Sequence, residues 1–139
     1  MIPVCPRCGV PARPARGRDL SGVPDTHGDR LFYVCPSCDA RVGCHRDGRP
    51  LGTLAGPRLR AARRSAHAAF DPLWQSGRLT RAEAYAWLAA RLGLPLERTH
   101  IGEFDEDLCF RVVTACTTYR LRPAAPGPPR SPDHDRREP

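Results

Sequence analysis

Cys5-Pro6-Arg7-Cys8-Gly9 and Cys35-Pro36-Ser37-Cys38-Asp39, with 26 residues between Cys8 and Cys35, decide the fold of this chain. A Cys-x-x-Cys turn lets two thiolates reach one cation while amides of the same turn point at the sulfurs and offset their charge. Two such turns complete a closed tetrahedron. Pro after the first Cys fixes φ, and Gly9 can take the positive φ on which such a turn commonly ends; Asp39 takes it less readily. The expected ligands are therefore Cys5, Cys8, Cys35 and Cys38, around a structural Zn2+. The spacing also admits iron of the rubredoxin type, although Phe32 and Tyr33 are the only aromatics in the first 50 residues, few for the apolar shell that tunes such a centre. A redox-active dithiol pair is a third way to use the motif. A closed four-thiolate zinc has no free coordination position, so it would organise the fold without being a catalyst itself.

Outward from the knuckles, Leu31-Phe32-Tyr33-Val34 predicts a short strand entering the second one, and residues 40–44 a strand leaving it. Residues 1–12 form the first knuckle and its hairpin, 13–30 are polar, Gly/Pro-rich and loop-like, and 45–56 are a turn-rich linker with apolar anchors at Leu51 and Leu54. This is a zinc-ribbon layout. The second half is helical: Pro57 suits a first helical position, and Leu59, Ala62, Ala66, Ala69, Phe70 and Leu73 recur at helix spacing. Asp71-Pro72 interrupts that pattern. Thr80-Arg81-Ala82-Glu83 is a capping box for a second helix with Tyr85, Leu88, Ala89 and Leu92 on one face, stopped by Gly93 and Pro95. Asp105-Glu106-Asp107 suits the positive end of a third helix, which carries Cys109 and Cys116 on one face as free core thiols. The expected class is α+β: a ribbon of short antiparallel strands over residues 1–50, a three-helix region over 51–122 packed on it, and a disordered tail over 123–139, where 6 of the residues are Pro.

Composition narrows the function. The chain has 139 residues and a formal net charge of +7, with no Lys among its 22 basic residues. Residues 1–64 carry 12 Arg against 5 Asp, while 65–122 and 123–139 are each balanced, so the whole net charge belongs to the metal-binding half and the start of the first helix. A basic zinc module is a candidate for phosphate contact, and Arg7, Arg41, Arg46, Arg49, Arg58, Arg60 and Arg64 are the expected nucleic-acid-binding residues. The alternative is a protein-protein adaptor, since a ribbon is also a rigid platform for a protein partner. No run of 18 apolar residues and no apolar stretch behind a basic N-terminus occurs, so neither a membrane span nor a secretory signal is expected, and the expected compartment is the cytosol. Seven cysteines, an odd number, then read as ligands plus reduced thiols. No Gly-rich phosphate loop, nucleophile elbow or His-Glu-x-x-His is present; a hydrolase or nuclease would have to be assembled from Cys44, His45, His67 and Asp71. Cys44 and His45 could also serve as a substitute ligand or bond to the cysteine sulfurs.

The order of motifs resembles a bacterial and phage family described as a zinc-finger-containing domain. The likeness is carried by the two knuckles, then Val42-Gly43-Cys44-His45, Arg49-Pro50-Leu51-Gly52-Thr53-Leu54-Ala55, and Ala66-His67-Ala68-Ala69-Phe70-Asp71-Pro72-Leu73-Trp74. It continues in Arg81-Ala82-Glu83-Ala84-Tyr85-Ala86-Trp87-Leu88 and His100-Ile101-Gly102-Glu103-Phe104-Asp105, and covers roughly residues 3–116. What the resemblance implies is zinc binding.

Overall fold

Strands β1 (Arg13–Arg16), β2 (Leu31–Val34) and β3 (Arg41–Gly43) form one antiparallel sheet in the order β1-β2-β3. The computed structural model describes residues 2–121; the tail expected over 123–139 lies outside them. Register sets Arg13 opposite Val34 and Arg16 opposite Leu31, and on the other side Phe32 opposite Gly43 and Val34 opposite Arg41. The aromatic and branched residues of β2 suit the central strand, which is paired on both edges.

Strand β1 corrects the expectation of a loop over 13–30. Arg-Pro-Ala-Arg shows no apolar alternation and is mostly exposed, so backbone pairing to β2, and not its own side chains, makes it a strand. Pro14 is tolerated because β1 is an edge. Beyond it, single turns at Gly17–Asp19 and Asp25–His27 are tied by the Gly17 amide to the Arg30 carbonyl and the Arg18 amide to the Gly28 carbonyl, both at 2.9 Å. Gly17 is buried so closely against the second turn that a Cβ there would collide with the His27 carbonyl oxygen.

Residues 45–56 are more ordered than a linker. The His45 amide donates to the Arg49 carbonyl at 2.8 Å across a turn in which Gly48 has φ 90°. The chain then runs back beside β3: the Leu51 amide donates to Gly43 at 2.8 Å, and Arg41 and Ala55 exchange two backbone bonds of 3.0 Å. The buried centre consists of Cys5, Ala12, Cys35, Ala40 and Leu54, with Val10, Tyr33 and Val42 packed against it. So few apolar side chains cannot by themselves stabilise a domain of this size; a cross-link must supply the rest.

The chain divides into two compact units, Met1–Ala61 and Ala62–Pro139, the boundary falling inside helix α1 (Pro57–Phe70). After α1 come a one-turn helix, α2 (Pro72–Gln75), then α3 (Arg81–Leu92) and α4 (Glu106–Leu121). The three expected helices are thus α1, α3 and α4, and α2 is the extra turn that Pro72 starts after the Asp71 break. The capping box is complete: Thr80 Oγ1 accepts the Glu83 amide at 3.0 Å and Glu83 Oε1 accepts the Thr80 amide at 2.8 Å. Gly93 ends α3 with φ 70°, and Asp105 Oδ1 caps α4 by accepting the Leu108 amide at 2.8 Å. Phe70, Leu88, Ile101, Val112, Cys109 and Cys116 are the large fully buried side chains of this unit. Phe70 meets Tyr85 edge-on with ring centroids 4.8 Å apart, and Trp87 meets Tyr119 at 5.2 Å. No helix of the described residues is long and apolar enough to cross a membrane.

Candidate metal centre

Both knuckles close in the same way. The Cys5 amide donates to the Val10 carbonyl and the Cys35 amide to the Ala40 carbonyl, each at 2.9 Å and each spanning five residues. The first sits on a small hairpin held by a Val4–Pro11 bridge and the Ala12 amide to the Pro3 carbonyl at 2.9 Å; the second links β2 to β3. Gly9 takes the anticipated positive φ, 72°, and its amide donates to the Cys5 carbonyl at 2.8 Å. Asp39 does not match it: no non-Gly residue among those described has positive φ. The second turn closes without a left-handed residue. Its amides nevertheless face sulfur, Ser37 N–H donating to Cys35 Sγ at 3.3 Å and Ala40 N–H to Cys38 Sγ at 3.4 Å.

These turns bring the Sγ atoms of Cys5, Cys8, Cys35 and Cys38 within 4.8 Å of one another, with Cys5 and Cys38 at 3.8 Å. A tetrahedron of sulfurs about 2.3 Å from a central zinc has edges of about 3.8 Å, whereas a disulfide brings two sulfurs to about 2.05 Å. All seven cysteines are free thiols. Cys5 and Cys35 are buried, Cys8 and Cys38 half-buried. In the thiol cluster the hydrogen bond to Cys38, burial and the neighbouring Cys35 push Cys8 up to about 12. Burial also opposes ionisation of Cys35, but the Ser37 amide and the Cys38 and Cys5 thiols outweigh it and draw Cys35 down to about 7. Four sulfurs gathered at tetrahedral spacing are the donor set that fits a thiophilic, tetrahedral divalent ion.

Cys44 and His45 stand apart from this cluster. Cys44 is buried, and its amide donates to the Leu31 carbonyl at 3.1 Å, at the end of β2 remote from the knuckle, about 10 Å along a four-residue strand. Burial raises its thiol, the reverse of an activated nucleophile. His45 is exposed beside it. His67 Nδ1 lies 3.4 Å from Asp71 Oδ1, one turn along α1. Cys44 and His45 belong to the first unit and His67 and Asp71 to the second, and none of them joins a metal-holding cluster among the described residues.

The seven arginines singled out from sequence do not share one cavity. Arg7 is exposed on the first knuckle, and Arg49 Nε is held by Asp47 Oδ2 at 2.7 Å. Arg41 Nη1 donates to the Ser21 carbonyl at 3.0 Å, while Arg60 Nη1 donates to the carbonyls of Asp39 at 3.0 Å and Ala55 at 2.7 Å. Both line a 440 Å³ cleft beside Cys35 and Cys38, together with Asp19 and Asp39. Arg46 instead lines a 540 Å³ cavity with Arg16 and Arg30, which sequence reasoning left out because 13–30 read as a loop. Arg16 at the end of β1 and Arg30 immediately before β2 stand at the same end of the strand pair, and that is the signal that could have found them, had β1 been recognised. Arg58 is exposed in the first turn of α1, and Arg64 is exposed in the helical unit.

No curated protein and no solved structure matches the chain. A family model described as a zinc-finger-containing domain does match, over residues 1–119, a span that takes in both knuckles, the sheet and most of α4. With four cysteine sulfurs gathered as such a finger requires, the chain belongs to this zinc-finger-containing domain family.

Proposed function

We propose that this protein is a zinc-held ribbon that binds nucleic acid through the phosphate backbone. Zinc, held by Cys5, Cys8, Cys35 and Cys38, would supply structure and no chemistry, because four protein thiolates fill its coordination. The observation that carries the nucleic-acid reading is the confinement of the entire +7 to residues 1–64. Such a field attracts phosphates and releases their counterions. Arg7, Arg46 and Arg58 are exposed, and Arg64 adds a further exposed cation beyond the unit boundary.

The test is titration of the metal-loaded chain with duplex and single-stranded oligonucleotides at several salt concentrations. Non-specific binding of about 10⁻⁴ to 10⁻⁶ M near physiological salt is expected, weakening steeply as salt rises. Substituting Arg7 and Arg46 by Ala should weaken binding to all sequences alike and flatten the salt plot by about 0.9 per lost contact on duplex DNA. No binding at about 50 mM salt removes the proposal. A protein partner is the second reading, favoured by Phe110, which is 69% exposed on α4 beside Ala90, Leu92 and Ala115. Binding through that apolar surface would respond weakly to salt.

A further inference from the structure

Arg30 and Arg46 are cations that the fold leaves unneutralised. The two carboxylates nearest them in sequence are taken by other arginines: Asp29 pairs with Arg18, and Asp47 with Arg49 at 2.7 Å. Among the described residues the side chains of Arg30 and Arg46 make no hydrogen bond or ion pair. Yet both face the 540 Å³ cavity at the end of β2, where Arg16 and His45 join them on its exposed rim, half-buried Leu31 and Leu51 supply apolar wall, and Asp29, paired with Arg18, also borders the opening. Arg16 keeps its place by donating from Nη1 to the Asp29 carbonyl at 3.0 Å. Arg30 is placed over the β3 side, its Nη2 3.7 Å from where a Cβ on Gly43 would stand.

Resting on the nucleic-acid reading above, we propose that this cavity is a binding site for a nucleoside phosphate, either a free nucleotide or one nucleotide of a strand. Guanidinium groups are planar forks that bind phosphate oxygens in pairs, and three of them surround one opening here. The volume lies in the range of small-molecule sites, roughly 300 to 1,000 Å³, and far exceeds what a bare phosphate fills. The leucine wall gives the remainder of the ligand an apolar surface, and an arginine plane can stack on a base. The cleft beside the metal centre is a poorer candidate, because both of its arginines, Arg41 and Arg60, are spent on backbone carbonyls, whereas here only Arg16 is held in that way. No covalent step is involved.

The experiment follows the amide NMR signals of the full zinc-loaded chain during titration with AMP, adenosine, inorganic phosphate and a short single-stranded oligodeoxyadenylate. AMP should shift Leu31, Cys44, His45 and Arg46, and adenosine or inorganic phosphate, each offering part of the ligand, should bind at least about tenfold more weakly. Arg30→Gln with Arg46→Gln should lower AMP affinity at least about tenfold at unchanged zinc content and unchanged circular dichroism, whereas Arg98→Gln in the helical unit should not. If the strand displaces AMP from the same amides, the site takes a nucleotide of a strand; if AMP binds there and the strand does not, the site takes free nucleotide and the nucleic-acid reading fails alone. Strand binding with no AMP shifts at these residues overturns the site and leaves that reading standing. Binding of neither overturns both, and inorganic phosphate as tight as AMP overturns the nucleoside assignment.

Discussion

Arg60 Nη1 donates to the backbone carbonyl of Asp39 at 3.0 Å, joining the first turns of α1 to the residue that follows the second knuckle. The same nitrogen reaches the Ala55 carbonyl at 2.7 Å, so this half-buried arginine braces the segment between sheet and helix. Hydrogen bonds from a charged donor are worth about 1.5 to 3 kcal/mol, and the carbonyls left behind would have to find water. Arg60→Ala should therefore destabilise the metal-loaded protein by about 1 to 3 kcal/mol in chemical denaturation, against about 0.5 kcal/mol or less for exposed Arg7→Ala. Equal effects at the two positions would return Arg60 to the solvated surface, and any loss of nucleic-acid binding in Arg60→Ala must be separated from this structural loss.

Metal content tests the ligand assignment directly. One zinc per chain is expected, lost on substitution of Cys5, Cys8, Cys35 or Cys38 by Ser and retained in Cys44→Ala, whose sulfur belongs to the other end of β2. Structural zinc contributes roughly 10 to 16 kcal/mol in finger peptides, at least the size of a whole domain's stability of about 5 to 15 kcal/mol. Chelation should then unfold the ribbon, read as loss of the near-ultraviolet signal of Tyr33, which packs against the cysteine cluster. A native Tyr33 signal in chelated protein would show that the small apolar centre suffices.

Two glycines should fail on substitution for different reasons. Gly17→Ala drives a Cβ into the His27 carbonyl oxygen, a backbone atom that moves only with its turn, and should cost about 1 to 3 kcal/mol or more. Gly9→Ala meets no atom within 4 Å but keeps φ at 72°, so its cost should be about 1 to 2 kcal/mol from the left-handed backbone alone. Thermal unfolding of the two variants measures this ordering. Indifference to Gly17→Ala would mean that the 13–30 segment is not packed as described.

What could be read from the sequence was local. The knuckles show because ligand spacing is a covalent pattern, and α3 shows because Thr80, Glu83 and Gly93 stand at fixed offsets from its ends. Strand β1 escaped because Arg13-Pro14-Ala15-Arg16 becomes a strand through partners about 18 residues further on, a pairing that no local periodicity encodes. The same blindness hid the cavity of Arg16, Arg30 and Arg46, since its arginines come from three segments that only the sheet brings together. At the ends of the two turns the local reading also served: Gly9 takes positive φ, and Asp39, which takes it less readily, does not.

Burial ranks the helical unit more sharply than helix spacing does. Phe70 and Leu88 are 0% exposed, whereas Tyr85 and Trp74 are half-buried and carry Arg81 over their rings at 5.4 and 5.2 Å. Phe70→Ala should cost about 3 to 5 kcal/mol and Leu88→Ala about 2 to 5, since each leaves a cavity that close-packed neighbours cannot fill. Tyr85→Ala and Trp74→Ala should cost less, because part of each ring already faces water and the stacked guanidinium is replaceable by solvent. Thr80→Ala removes the cap but no core volume, for about 1 kcal/mol. Denaturant midpoints for the five variants, compared at constant slope, check the order. Thr80→Ala as damaging as Phe70→Ala would mean that the start of α3, and not the Phe70 centre, limits this unit's stability.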